Sequence, residues 1–247
     1  MRWIVNCGGS LSAAWKAVAG VRTCRRVIPV RDTIVSSTVP VVTYALIAAN
    51  VVVYLYQESL GPAVEGFVEL RGLVPRRFVA GWWTDVTPLF TSMFLHGGWL
   101  HLIGNLIYLH IFGDNVEDRL GHIRFLLLYI LAGATAGLAQ VLIHPTTTVP
   151  MVGASGAIAG VTGAYFLFYP QARVVTLVPI FLFIQVVEIP AFFFLLFWFA
   201  FQLLLGLGSI GAASGGGIAF WAHIGGFVAG MVLGPALSPR SRVRPAW

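Results

Sequence analysis

The sequence predicts an all-α polytopic membrane protein of six spans, and three observations carry that prediction. Hydrophobic residues fill 58% of the 247 positions and charged residues only 10%, where a soluble domain carries about 25% charged residues. The apolar residues gather into long runs, and the charges are confined to the gaps between them. Arginines flank those runs as topology signals do, so the formal charge of +6 is read as membrane orientation, and no nucleic-acid partner is expected.

Residues 1–38 form a basic N-terminal segment that lacks the sustained apolar core of a signal peptide and reads as a cytoplasmic tail, with an organellar transit segment as the alternative. Cys7 and Cys24 both lie in it. A disulfide core, a thiolate metal site and a cysteine nucleophile among the spans are thereby excluded. The first span is 39–57. A Trp- and Pro-containing segment, 74–94, follows in the first outer loop, and adjacent Trp82 and Trp83 suit a membrane–water interface. The second span starts near Trp99 and ends before "GDNVEDRLG"; the third is 124–143. The fourth runs from Ser155 to Tyr169, where Pro170 stops it. Residues 173–188, broken by Pro179, are too interrupted for a span and are expected along the interface. The fifth and sixth spans are 189–207 and 219–237, and 238–247 is a basic C-terminal tail. The domain organisation is therefore 1–38, a six-span body over 39–237, and 238–247.

With the N-terminus inside, twelve of the fifteen Lys and Arg residues lie on the inner side, so both termini are predicted cytoplasmic. Spans two, four and six then descend from the outer face, and their first residues share one depth. Those residues include His101, Asn105, Ser155 and His223. The fourth span is short: fifteen residues at about 1.5 Å each cover roughly 22 Å, against a hydrocarbon core of about 30 Å. Ser155 is expected below the outer surface, where irregular backbone survives only in protein or beside a wet cavity.

A serine hydroxyl becomes a good nucleophile when a base lies within hydrogen-bond reach. His223 is the available base, and Gly226, Gly230 and Gly234 recur on its face of span six. Gly156 and Gly160 give span four a matching small face, so that the two backbones can approach closely. The alternative is that the same small residues serve packing alone. His101 and Asn105, four apart on one helix face, both offer N–H donors of the kind a tetrahedral oxyanion requires. The bland reading of Asn105 is an interhelical hydrogen bond. His96 and His110 are assigned to structure. With Asp114, Glu117 and Asp118 inside, Glu188 before span five and Asp85 in the first outer loop, no carboxylate is expected to orient His223, and Ser155 and His223 form a dyad without a third member. There is no H-E-x-x-H helix and no pair of membrane aspartates; no metal and no cofactor are expected.

In order along the chain, "HGGWLHLIGN", "GDNVEDRLG", "GASGAIAG" and "AHIGGFVAG" resemble the rhomboid family of intramembrane serine proteases over roughly residues 27–237. The resemblance implies a six-helix rhomboid-like bundle with a short central fourth helix and a membrane-associated first outer loop. It implies Ser155 as nucleophile, His223 as general base, and His101, Asn105 and Gly153 at the oxyanion hole. Glu117 and Gly121 match an E-x-x-x-G element taken as structural. Two positions depart from the family pattern. Ala159 stands where some bacterial members stack an aromatic on the catalytic histidine, and the Trp-Arg pair of the first outer loop is not evident.

The expected function is serine endopeptidase cleavage of transmembrane segments of other membrane proteins, the chemistry of regulated intramembrane proteolysis. The partners are such substrates and the lipid bilayer, and the default location is a bacterial inner membrane. Residues 206–220, rich in glycine, are expected with span five to gate lateral access. Two alternatives come from other classes: a catalytically silent rhomboid-like protein that binds membrane clients, and a transporter with a polar pathway. Silent relatives lose the serine or the histidine, and a transporter needs polar groups through to the cytoplasmic face.

Overall fold

Four longer helices pack around the short one that carries Ser155. The computed structural model describes residues 28–81, 84–180, 183–210 and 219–239. Strand β1 is Ile28–Asp32 and helix α1 Val41–Ser59. Three short helices, α2 (Val64–Arg71), α3 (Pro75–Gly81) and α4 (Pro88–Thr91), build the first outer loop. Helices α5 (Trp99–Leu120) and α6 (His122–Ile143) have 22 residues each, and α7 (Ser155–Phe168) has 14. Strands β2 (Arg173–Ile180) and β3 (Phe183–Pro190) precede α8 (Ala191–Ser209) and α9 (Phe220–Leu237). Helices α1, α6, α8 and α9 are each long and apolar enough to cross a membrane. Helix α5 is as long but ends in the charged stretch Asp114–Arg119, and α7 is apolar but short. This is an integral membrane protein with a helical core.

Helix α7 is central because nearly all of it is apolar and small. Residues Gly156–Tyr165 are all buried. A side chain on Gly160 would meet Ala132 of α6 on one side and the Gly226 carbonyl of α9 on the other. A side chain on Gly230 would run into the backbone of Gly160. Bare backbone on both faces lets three helices approach more closely than larger residues permit, which is how helices associate where no hydrophobic effect drives them together.

Helix α1 has Pro40 at its N-cap and no side-chain cap of its own, so its first N–H groups need outside acceptors. Glu117, fully buried near the end of α5, supplies them. It accepts the Val42 N–H at 2.8 Å, and the Thr43 N–H and hydroxyl at 2.7 Å each. Four residues beyond Glu117, the α5–α6 reversal turns on Gly121 at φ +81°, a conformation a Cβ disfavours. The E-x-x-x-G spacing thus links one helix cap to one tight turn.

Two segments differ from their expected form. Residues 173–190 are a β-hairpin with Arg173 opposite Pro190 and Ile180 opposite Phe183. Its β-branched residues (Val174, Val175, Thr176, Val186, Val187) favour a pleated strand over a helix, and Pro179 lies near the hairpin's closed end. The ordered body also reaches upstream of the expected boundary at 39. Strand β1 pairs antiparallel with β2, in the order β1–β2–β3. Beyond it Ser36, Ser37 and Thr38 donate to Asp114 and Asp118 of α5. Asp32 accepts from Tyr165 of α7 and from Asn115 Nδ2 at 2.9 Å. The sheet therefore sits beneath the far end of α7, opposite Ser155. The expected tail at residues 1–27, the Trp82–Trp83 pair, the glycine-rich 211–218 and the tail at 240–247 lie outside the described residues.

Candidate active site

Helices α5, α7 and α9 begin at the same end of the bundle, and their first turns face one cavity of about 970 Å³. His101, Asn105, Gly153, Ser155 and His223 all line it, together with Trp198 of α8. The last turn of α1 (Gln57 and Glu58) and the α6–α7 connection (Thr147 and Val149) also line it.

Ser155 is the first residue of α7, preceded by the N-cap Ala154. The first N–H groups of a helix have no intrahelical acceptors, and the helix dipole favours negative charge there. His223 is the fourth residue of α9. Its Nε2 lies 2.8 Å from Ser155 Oγ. On the opposite side of the ring, Nδ1 lies 2.8 Å from Gln202 Oε1 of α8. An amide oxygen only accepts, so Nδ1 carries the ring proton, and Nε2 turns its lone pair to the serine hydroxyl. Trp198, one turn before Gln202, places its indole 5.8 Å from the imidazole at an interplanar angle of 38°.

The connection entering α7 is bent. Gly153 has φ +124°, and a Cβ there would lie 2.7 Å from His101 Cε1 and Nε2. Its N–H donates to Ser92 O at 2.9 Å, which pins the loop beside the imidazole of His101. The Gly97 N–H points to His101 Nδ1 at 3.4 Å. That leaves the Nε2 of a neutral ring as its N–H donor, on the Gly153 side. Asn105 is 6% exposed, and its Nδ2 has no protein acceptor among the described residues. A buried donor left unmatched inside a polar hollow is free for a bound oxygen. Two side-chain donors and the α7 N-terminus thus converge within reach of Ser155.

His96 lines the same cavity beside His101, whereas His110 lies away from it. Gln57 clamps the backbone of His96, donating to its carbonyl at 3.0 Å and accepting its N–H at 2.9 Å. The His96 ring packs edge-on to His101, with centroids 5.2 Å apart. His110 stacks on Tyr44 at 6.3 Å. All five site residues expected from sequence are brought together. The expectation that the histidine has no third partner needs correcting: no carboxylate reaches it among the described residues, but an amide does. Trp198 and Gln202 were missed. The signal was there, because Gln202 is the one amide or charged side chain in a 19-residue apolar span, and such residues are functional by default.

The chain is similar in sequence to known proteins. A family model described as Rhomboid domain matches residues 80–240. RHOMBOID-like protein 6, mitochondrial, of Arabidopsis thaliana is 34% identical over 105 residues, which are 42% of this chain and 33% of that protein. Rhomboid protease GluP of Bacillus subtilis is 35% identical over 128 residues, 51% of this chain and 24% of its own. Rhomboid protein 1, mitochondrial, of Saccharomyces cerevisiae is 30% identical over 198 residues, covering 77% of this chain and 51% of the yeast protein. The matched stretches span less than two thirds of each relative's length.

Proposed function

The chain belongs to the rhomboid family, and from that premise we propose that it is an intramembrane serine endopeptidase. The observation that carries the proposal is the 2.8 Å approach of His223 Nε2 to Ser155 Oγ, at the wet end of three converging helices. In the reaction, His223 Nε2 takes the hydroxyl proton as Oγ attacks the carbonyl carbon of a peptide bond in a transmembrane segment. Charge developing on the carbonyl oxygen is met by Asn105 Nδ2, His101 Nε2 and the first N–H groups of α7. The imidazolium then protonates the leaving amine, and an acyl-enzyme forms. Water from the cavity, deprotonated by His223, releases it.

A peptide carbonyl in an intact helix is shielded by its own hydrogen bond. Substrates with glycine or other helix-weakening residues near the scissile bond are therefore favoured. Gly153 contributes by its backbone: a Cβ at this φ would collide with His101. The charge pattern of the termini supports a cavity on the face opposite the cytoplasm, and a bacterial inner membrane is the proposed location.

The deciding experiment is labelling with a serine-directed fluorophosphonate, beside cleavage of a designed transmembrane substrate. The parent should react, and Ser155→Ala and His223→Ala should not. Labelling or cleavage that persists in a well-folded Ser155→Ala variant removes the proposal. A parent that never reacts but binds transmembrane clients is the silent relative instead.

A further inference from the structure

Helix α8 is held to the bundle by a narrow strip. Its buried residues are Ala191, Leu195, Gln202 and Gly206, spaced four, seven and four apart along one face. The other faces are apolar and open: Phe193 is 62% exposed, Phe197 74% and Leu204 67%. On the buried strip only Gln202 has a side chain that can hydrogen-bond. It is 8% exposed, so its amide would sit at a cost in an apolar wall unless partnered. Its partner is His223 Nδ1 at 2.8 Å. Trp198, one turn earlier, lines the cavity and closes over the same imidazole.

We infer that Gln202 is a positioning residue for His223, holding the imidazole in the Nδ1–H tautomer from the wall helix α8. This rests on the peptidase reading only for its kinetic consequence. A neutral imidazole without a partner at Nδ1 exchanges its proton between two nitrogens, and the Nε2–H form cannot accept from Ser155. In triad hydrolases a carboxylate suppresses that form and also stabilises the imidazolium. An amide oxygen fixes the tautomer with no net charge, which suits an apolar surround where a buried carboxylate is expensive. Because the amide belongs to α8, base alignment depends on α8 being seated. A shift of α8 by about 1 Å would stretch the contact past hydrogen-bonding range.

The test compares the parent with Gln202→Leu and Gln202→Glu, each checked for folding by thermal unfolding and gel filtration in detergent. The tautomer is read directly from the ¹⁵N shifts of the labelled His223 ring, a measurement independent of turnover. The parent should show Nδ1–H, and Gln202→Leu a mixture of both forms. Kinetically, Gln202→Leu should lower kcat by about 10–100-fold with KM within twofold, since substrate contacts are untouched. Gln202→Glu should keep the rate at pH 8 while its acid limb moves to higher pH, because an added carboxylate stabilises the imidazolium. An Nδ1–H ring in Gln202→Leu overturns the inference, whether or not the chain is a peptidase. Should Gln202→Leu not fold, an unmoved acid limb in Gln202→Glu overturns it as well. If the parent shows no serine-dependent turnover, the peptidase reading fails and the ring shifts still decide the role of Gln202.

Discussion

Replacing Gly226 with alanine should separate the alcohol from the imidazole while leaving every reacting atom in place chemically. Gly226 lies three residues after His223 on α9, and its Cα faces the carbonyl of Gly156, one residue after Ser155 on α7. A Cβ there would overlap Gly156 O and sit 3.0 Å from its carbonyl carbon and 3.3 Å from Ala159 Cβ. The overlap is with backbone, so no rotamer change relieves it, and the helices must part by about 1 Å at this level. Moving α9 that far takes Ser155 Oγ and His223 Nε2 from 2.8 Å to roughly 3.8 Å, outside hydrogen-bonding range. Overpacking should cost about 1–3 kcal/mol of stability, and the misplacement about 100-fold in kcat/KM. Single-turnover cleavage of a designed transmembrane substrate, with fluorophosphonate labelling and thermal unfolding alongside, reads both. The control is Gly234→Ala, whose Cβ would lie 2.7 Å from Ala164 Cβ, about 12 Å further along the same helix. It should lose stability and keep its rate. Parental turnover in Gly226→Ala, or an equal loss in Gly234→Ala, refutes the reasoning.

Three further outcomes are expected. Asn105→Ala should lower kcat by about 10²–10³-fold, the range for losing one oxyanion donor, with KM little changed; an unaltered kcat returns Asn105 to a structural role. Gly153→Ala combines φ +124° with a 2.7 Å collision on the His101 ring, so fluorophosphonate labelling should slow at least about 10-fold, and a parental labelling rate argues against the bent loop. At the opposite end, burial raises the Asp32 carboxyl to about 6, with Asp114 adding to it and the Tyr165 and Asn115 hydrogen bonds opposing. The folded chain then holds a proton between about pH 4 and 6 that the unfolded chain has released, so stability falls as pH rises through that window. Asp32 borders an open cleft, which limits the effect to on the order of 1–2 kcal/mol. Asp32→Asn should flatten thermal stability between pH 4 and 6, and an unchanged slope refutes the assignment.

The helices were legible because a bilayer imposes long apolar runs, and all six begin within two residues of the expected positions. Ser155, His223, His101 and Asn105 were legible for another reason: a polar group at one depth in each of three co-directional spans is a pattern of spacing and parity. Gln202 stood out only as a lone amide in an apolar span, and with the first residues of α8 at the other end, nothing in the sequence tied it to His223. Its approach to His223 depends on the rotation of α8, which the uniform apolar run does not reveal. Strand β1 was hidden differently. Its pairing partner Leu177 lies about 150 residues from Ile28, and five residues of strand read locally as tail. The hairpin was obscured by Pro179, which argued against a helix without indicating a turn.

The site cavity is a blind hole. Its lining stops at Tyr108 on α5 and Thr162 on α7. Below lie Leu109, Phe112, Val116, Ala164 and Tyr165, all fully buried, with the Arg119 guanidinium stacked 4.3 Å from Phe168. A water-filled shaft through the bundle would short-circuit the voltage that a living membrane maintains, at about 2.3 kcal/mol for each charge crossing 100 mV. The plug keeps that voltage intact while the solvent needed for hydrolysis arrives from one side. The proposed peptidase can therefore work in the insulating layer without becoming a leak.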